Sequence, residues 1–344
     1  MMFTRQAIIK GLLPFLVHTS AMGAAAIEQN PLKDRFNLAS VPADLPSYDS
    51  GLNGQQIQMP FSQVIKSVGQ NADLIMIGDT NHKDAGIRGL AVTRDNMVAM
   101  AESGISHLYV EIDQKLQPLA EKLIENKNDP HALAEFGREF NKDYGDATGN
   151  DNGIYTRQLA ETILTGDKLG IKVHFANPGN GWKEYGEAER YANENPNDAQ
   201  GIEQRLKLGR DARFDDKQLA GFINETSRGE KSAMIYGSSH ASRFGDFENS
   251  YDGRAVKVDV YNNPQQYQEK MDIDKEALAL NGMKFNEDKP ELVYFKESQT
   301  AAMTYNTPPE MSQNLRDNGA VPIQPDNNPV PQPREQKYNQ SPAV

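Results

Sequence analysis

Two short loops of matching composition hold the residues best suited to chemistry. Each begins with glycine, continues with polar residues and ends in histidine: residues 78–82 read Gly-Asp-Thr-Asn-His and residues 237–240 read Gly-Ser-Ser-His. Each loop follows a short apolar run of the kind that forms a buried strand. A neutral imidazole accepts a proton from water near neutral pH, so His82 and His240 are candidate acid-base groups. We expect the two loops to belong to one polar site.

Acidic, amide and cationic side chains accompany the two loops. Glu111 and Asn177 each close an apolar run, and Arg210 and Arg213 stand just ahead of a segment of helical period. A carboxylate such as Glu111 can orient an imidazole and stabilise its protonated form. A guanidinium can hold a carboxylate of the site or an anionic group of the substrate. Polar residues beside the histidines and at the strand ends are candidate substrate-binding residues: Asn81, Asn177 and Ser239.

The same residues admit other interpretations. His82 and His240 with Asp79 or Glu111 form a plausible set of two histidines and one carboxylate for a divalent metal ion. Asp79 can instead simply cap the helix that follows the first loop. A serine hydrolase is disfavoured, because the Gly-x-Ser-x-Gly turn of that class is missing. The residue types therefore leave metal involvement open.

Short apolar runs alternate with longer segments of helical period from residue 61 onward. Strands are expected at 74–77, 108–112, 172–176, 233–236, 256–260 and 292–295, and helices near 87–102, 115–125, 155–169, 201–224 and from Asp129-Pro130 onward. This order predicts an α/β fold with a mainly parallel central sheet flanked by helices. In such sheets ligands bind beyond the carboxyl ends of the strands, where the polar residues fall.

Composition argues against several classes of function. The net charge of -12 opposes binding to nucleic acid, whose affinity depends on cationic contacts to phosphate. The absence of cysteine removes thiol nucleophiles, thiolate metal sites and disulfides together. No stretch reaches the roughly 18 to 20 apolar residues that span a bilayer, so no stable membrane span is predicted. The expected partner is a small-molecule or peptide substrate.

The two ends of the chain differ in composition from its body. Residues 1–26 show basic, apolar and then small residues in the order of a signal peptide, which predicts export to the periplasm or the exterior. Residues 27–60, rich in Pro, Asn, Ser and Gly, are expected to be irregular. Residues 61–300 are expected to form the α/β domain, and residues 301–344, rich in Pro, Asn and Gln, a disordered tail.

The order of the motifs resembles that of the superfamily of erythromycin esterase, Tiki/TraB and ChaN-like haem-binding proteins. The resemblance covers about residues 61 to 262 and is carried by the segments 78–82, 108–112, 171–178, 210–220 and 235–240. It implies an α/β fold of two pseudo-repeated halves, with His82 and His240 as the motif histidines and Glu111 as the strand-end acid. Where the family often has Gly-Glu, this chain has Gly78-Asp79.

A hydrolase of esterase-like or peptidase-like type is the function that these residues and the resemblance favour. In this interpretation His82 activates water and Glu111 orients it. His240, with Arg213 or Arg210, stabilises developing negative charge or positions the substrate.

Two alternatives come from other classes of protein. The resemblance to the ChaN-like branch implies haem binding or haem uptake, with Tyr109, Tyr155 or Tyr236 among the possible iron ligands. The second alternative is an exported effector that acts on a partner protein through the same fold.

Overall fold

The structure is a computed structural model. It describes residues 52–79, 89–144, 153–179, 182–211, 215–237, 247–271, 290–318 and 322–323. None of the helices in these ranges combines the length and the apolarity that crossing a bilayer requires.

One mixed sheet organises the described part of the chain. Its strands are β1 (Leu52–Gln58), β2 (Leu74–Asp79), β3 (His107–Asp113), β4 (Lys172–Asn177), β5 (Ser232–Gly237), β6 (Ala255–Tyr261), β7 (Leu292–Phe295), β8 (Thr300–Thr304) and β9 (Pro322–Ile323). The spatial order is β4-β3-β5-β2-β6-β7-β8-β1-β9. The first six of these strands run parallel to one another, whereas β8, β1 and β9 each join antiparallel.

Helices pack against both faces of the sheet. They are α1 (Phe61–Gly69), α2 (Gly89–Asp95), α3 (Met97–Glu102), α4 (Gln117–Glu125), α5 (Ala132–Tyr144), α6 (Ile154–Leu169), α7 (Trp182–Glu194), α8 (Ala199–Asp211), α9 (Asp216–Ser227), α10 (Phe247–Ser250) and α11 (Pro309–Asn318). A 3-10 turn, Gln114–Leu116, precedes α4, and a helical stretch covers 264–271. The predicted α/β fold with a mainly parallel sheet is confirmed.

Side chains alternate in direction along the central strands, so the buried apolar residues form two clusters, one on each face of the sheet. Ile75 and Ile77 of β2 join the larger apolar cluster, which includes residues of α1 to α6 and α11. Leu74 and Met76 join a second cluster with residues of α9 and α10. Successive side chains of a strand point to opposite faces, so burial on both sides explains why these strands read as continuous apolar runs.

The edge strand β4 is closed by a side chain. The amide of Gln117 donates to the carbonyl of Val173 at 3.1 Å and accepts from the backbone N–H of Phe175 at 2.7 Å. One side chain thus satisfies a donor and an acceptor on the side of β4 that faces away from β3. Such closure opposes pairing of the edge with another chain.

Helices and strands extend beyond the predicted bounds of the α/β domain at both ends. Residues 52–58, expected to be irregular, form β1, which pairs with β8. Residues 301–318, expected to belong to a disordered tail, contain most of β8 and α11. The predictions failed because these segments are polar or proline-flanked, and the neighbouring strands and core supply their stability. Residues 1–51 and 324–344 lie outside the described residues.

The helix expected from Asp129-Pro130 onward begins at Ala132, and two other expected helices are each divided in two. The helix expected near 87–102 is two helices, α2 and α3, separated at Asn96, whose side chain donates to the carbonyl of Val92 at 2.7 Å. The segment expected as one helix near 201–224 is likewise divided into α8 and α9. Asp215 opens α9 with a capping box, since its side chain accepts from Gln218 and the Gln218 side chain accepts from Asp215.

Candidate functional site

The carboxylate of Glu111 is held at the carboxyl edge of the sheet. Glu111 is a half-buried residue near the end of β3. Its Oε2 accepts a hydrogen bond from the backbone N–H of Gly237, the last residue of the adjacent strand β5, at 2.8 Å. A hydrogen bond to a carboxylate stabilises its charged form. The contact fixes an acidic group beside the point where the second glycine-histidine loop begins.

The glycines that begin the two glycine-histidine loops lie at the ends of adjacent strands. β2 and β5 are adjacent and parallel, and Asp79 at the end of β2 is the register partner of Gly237. The sequence expectation that both loops start at one edge therefore agrees with the strand order. Several predicted site residues lie outside the described residues: Asn81, His82, Arg213, Ser239 and His240. Arg210 lies near the end of α8.

Asn177 meets β5 at the same edge. Asn177 ends β4, is 3% exposed, and its Oδ1 accepts a hydrogen bond from the phenol of Tyr236 at 3.0 Å. β3 lies between β4 and β5, so the Tyr236 side chain reaches past one strand to the next. The consecutive residues Tyr236 and Gly237 thus tie the end of β5 to both β4 and β3.

Asp79 belongs to the opposite face of the sheet from the Tyr236 ring. A Cβ placed on Gly89, the first residue of α2, would lie 3.2 Å from the Cβ of Asp79 and 3.0 Å from Ile235. Residues of α2 belong to the larger apolar cluster, so the Asp79 side chain lies on the face of the sheet that this cluster covers. Tyr236 belongs to the second cluster, as does Tyr109, which shares its face of β3 with Glu111 by alternation. The side chains of Asp79 and Glu111 therefore lie on opposite faces of the sheet.

No three His, Cys, Asp or Glu residues gather into a possible metal site within the described ranges. The predicted metal set depends on His82 and His240, which lie beyond those ranges. It stays a prediction.

The sequence interpretation missed a buried pair of charges in β6. Asp259 and Lys257 are 4% and 7% exposed, and their Oδ1 and Nζ atoms are 3.9 Å apart. Gly78, which begins the first glycine-histidine loop, is the register partner of both Tyr236 and Asp259. Asp259 therefore lies on the strand next to the start of that loop. The available signal was the run 256–260, in which two charged residues alternate with valines. Charges inside an apolar strand are costly unless they are paired or used.

The tyrosines proposed as iron ligands occupy three different places. Tyr109 is fully buried, and its phenol shares a 2.8 Å hydrogen bond with Thr226 of α9. Burial raises the pKa of Tyr109. Tyr155 lies on α6, with its ring 6.3 Å from that of Phe140. Of the three, Tyr236 is the one at the carboxyl edge.

Comparison with known proteins shows distant similarity of fold. No family model matches the chain, and no curated protein matches its sequence. The structure of the type III effector HopBA1 aligns with a TM-score of 0.37 and 13% identity, over 63% of this chain and 89% of that one. The structure of ChaN of Campylobacter jejuni, described as binding haem cofacially, aligns with a TM-score of 0.40 and 14% identity, over 62% of this chain and 93% of that one.

Proposed function

We propose that the protein is a hydrolase that activates water at the carboxyl edge of β2, β3 and β5. The observation that carries this proposal is the hydrogen bond from the Gly237 N–H to the Glu111 carboxylate at 2.8 Å. It holds an acid in one orientation beside the start of the second histidine loop, on the strand that borders β5 on the side away from β2. A general base needs such an orienting partner, because the imidazolium that forms must be stabilised where it stands.

Covalent geometry supports the participation of both histidines. His82 is three residues beyond Asp79, and His240 is three residues beyond Gly237. An extended chain spans at most about 3.6 Å per residue, so the covalent limit on the distance from each histidine Cα to its strand end is roughly 11 Å. The two strand ends are neighbours about 4.8 Å apart. This length of chain permits both imidazoles to reach one substrate near Glu111.

The proposed roles follow from the chemistry of each group. His82 takes a proton from water, and Glu111 orients the imidazole. His240, with Arg210 or Arg213, stabilises the negative charge that develops on the substrate carbonyl oxygen. Asn177, Asn81 and Ser239 donate or accept hydrogen bonds with polar groups of the substrate and so hold it in position.

A divalent metal on His82 and His240 is a variant of the same proposal. It would act as a Lewis acid and lower the pKa of a bound water. Assays in the presence of a chelator, and after adding zinc or manganese, separate this variant from the metal-free one.

Haem binding is the second candidate, favoured by the position of Tyr236 at the edge that carries Glu111. It predicts a Soret band on titration with haem that disappears in a Tyr236→Phe variant. An effector acting on a partner protein is the third candidate, and its prediction is a stable complex in a pull-down with the full chain.

The test of the hydrolase proposal uses the full chain with a panel of para-nitrophenyl esters and a fluorogenic peptide. We expect turnover that is lost in His82→Ala and Glu111→Gln. Asp113→Asn is the matched control, because Asp113 is a carboxylate of the same strand that binds the N–H of Lys115 and not that of Gly237. Full turnover in the Glu111→Gln variant, or no turnover of any probe by the wild type, would overturn the proposal.

A further inference from the structure

Two histidines face each other at the opposite end of the strands that carry the candidate site. His107 begins β3, and His174 lies in the adjacent strand β4. Nδ1 of His107 and Nε2 of His174 are 2.8 Å apart, a hydrogen-bond distance. The two rings are nearly parallel, with centroids 5.1 Å apart. This pair takes no part in the proposed hydrolysis.

A carboxylate on the turn between α9 and β5 extends the pair into a chain of three groups. Nε2 of His107 lies 3.0 Å from Oε2 of Glu230, and the hydroxyl of Ser106 donates to the same oxygen at 2.8 Å. Glu230 is largely exposed, whereas His174 is 7% exposed. The chain therefore runs from solvent to a buried ring and joins β4, β3 and the turn.

An aromatic ring closes the buried end of the chain. The Tyr109 ring stacks on His174 with centroids 4.8 Å apart, and its phenol is hydrogen-bonded to Thr226 of α9. Phe222 of α9 contacts Tyr109 edge-on at 6.0 Å. The packing leaves little room for His174 to turn away while the strands stay in place.

The hydrogen bonds of the histidine pair depend on how many protons the two rings carry. With both rings neutral, His107 donates from Nε2 to Glu230 and His174 donates from Nε2 to His107. With one extra proton, His107 donates from both nitrogens, to Glu230 and to His174, whose own proton then lies on Nδ1. Both states keep every hydrogen bond. With two extra protons, an N–H of each ring points at the other across 2.8 Å, and the two positive rings repel.

We propose that Glu230, His107 and His174 form an acid-operated latch, which holds β4 and the α9–β5 turn against β3 until the histidine pair takes up its second proton. The latch is separate from the proposed hydrolase chemistry. It is nevertheless built on the strands that carry Glu111, Asn177 and Gly237 at their other ends.

The surroundings of His174 disfavour that second proton. Burial, together with positive charge on His107 and Lys172, lowers the pKa of His174 from 6.5 to about 4. The titratable or charged groups around the latch are His107 and Tyr109 on β3, Lys172 on β4, and Arg228 and Glu230 on the turn after α9. Since the unfolded chain binds this proton near pH 6.5, folding stability falls as pH drops from about 6.5 toward 4.

The first test compares urea unfolding of the full chain at pH 7 and pH 4.5 for wild type, His174→Phe and His131→Phe. Phenylalanine keeps a planar ring on Tyr109 and removes the titrating nitrogens. His131→Phe is the matched control because His131 is exposed. We expect acidification to reduce the folding equilibrium constant of the wild type and the control on the order of 50- to 100-fold more than that of His174→Phe. Equal pH dependence in wild type and His174→Phe would overturn the latch.

The second test needs no variant and no substrate. Hydrogen exchange of wild-type protein is followed at pH 7 and pH 4.5, with rates corrected for intrinsic exchange, in segments 172–177 (β4) and 292–295 (β7). We expect protection of β4 to fall relative to β7 on acidification, because the latch holds β4. Loss of protection in parallel in both segments would contradict the proposal. Neither test depends on hydrolysis, so a failed latch and a failed hydrolase are distinguishable.

Discussion

The phenol of Tyr236 donates a 3.0 Å hydrogen bond to Oδ1 of Asn177 across the end of an intervening strand. The next residue, Gly237, donates its backbone N–H to Glu111 on that intervening strand. Two consecutive residues of β5 therefore fix the relative positions of the ends of β4 and β3. The candidate site rests on this arrangement, and its energetic contribution can be measured.

Replacing Tyr236 by phenylalanine should destabilise the protein. The hydroxyl is removed while the ring stays buried, and Oδ1 of Asn177, at a residue 3% exposed, loses its donor. A buried acceptor left in this way costs about 1 to 3 kcal/mol of unfolding free energy, measured by urea denaturation. A double variant with Asn177→Leu should lose less than the sum of the single losses. Strict additivity would show that the hydrogen bond contributes nothing.

Glu111→Gln and Glu111→Ala should separate stability from activity. The glutamine amide oxygen can still accept from the Gly237 N–H, so we expect unfolding free energy within about 1 kcal/mol of wild type. Loss of the charge should reduce turnover of a confirmed substrate by about 10²- to 10⁴-fold. Glu111→Ala should lose both turnover and about 1 to 3 kcal/mol of stability. Equal destabilisation by both variants would indicate that the charge, not the hydrogen bond, stabilises the edge.

Gln117→Ala should weaken the exposed edge of the sheet. The change removes the partners of the Val173 carbonyl and the Phe175 N–H, at an expected cost of about 1 to 3 kcal/mol in unfolding free energy. Gln117→Glu keeps an acceptor for Phe175 but no donor for Val173, so an intermediate loss is expected. Light scattering should show increased self-association of Gln117→Ala, because an open edge strand pairs with other chains. Wild-type behaviour of Gln117→Ala in both measurements would contradict edge closure.

Two glycine-to-alanine changes should have opposite signs. A Cβ on Gly166 in α6 would lie 2.6 Å from the carbonyl oxygen of Ile171, so Gly166→Ala should cost about 1 to 3 kcal/mol through forced displacement of the α6–β4 connection. A Cβ on Gly221 in α9 meets nothing within 4 Å. Gly221→Ala should therefore stabilise the protein by about 0.5 to 1 kcal/mol through better helix propensity. Thermal and urea unfolding of both variants check the pair, and a stabilising Gly166→Ala would contradict the close approach.

Local pattern in the sequence was sufficient for most of the central elements. The run at 292–295 was predicted with the boundaries of β7, and the other five expected strands each match a strand of the parallel sheet. Period and burial explain this success, since strands buried on both faces are apolar throughout. Placing Glu111 near the end of β3 and Asn177 at the end of β4 required only that each residue follow an apolar run. The polar β1 and the proline-flanked α11 lack that local signal, and tertiary packing decided them.

The sequence by itself determined the α/β class, the central strands and the residue types that lie at their ends, because these depend on neighbours along the chain. Only the tertiary structure decided which strand ends meet. The Glu111–Gly237 hydrogen bond joins residues 126 apart, and the His107–His174 pair joins residues 67 apart. Asp259 of β6 acquires its position beside Gly78 through strand register. Strand order and register are set by packing between distant segments, and no local periodicity encodes them.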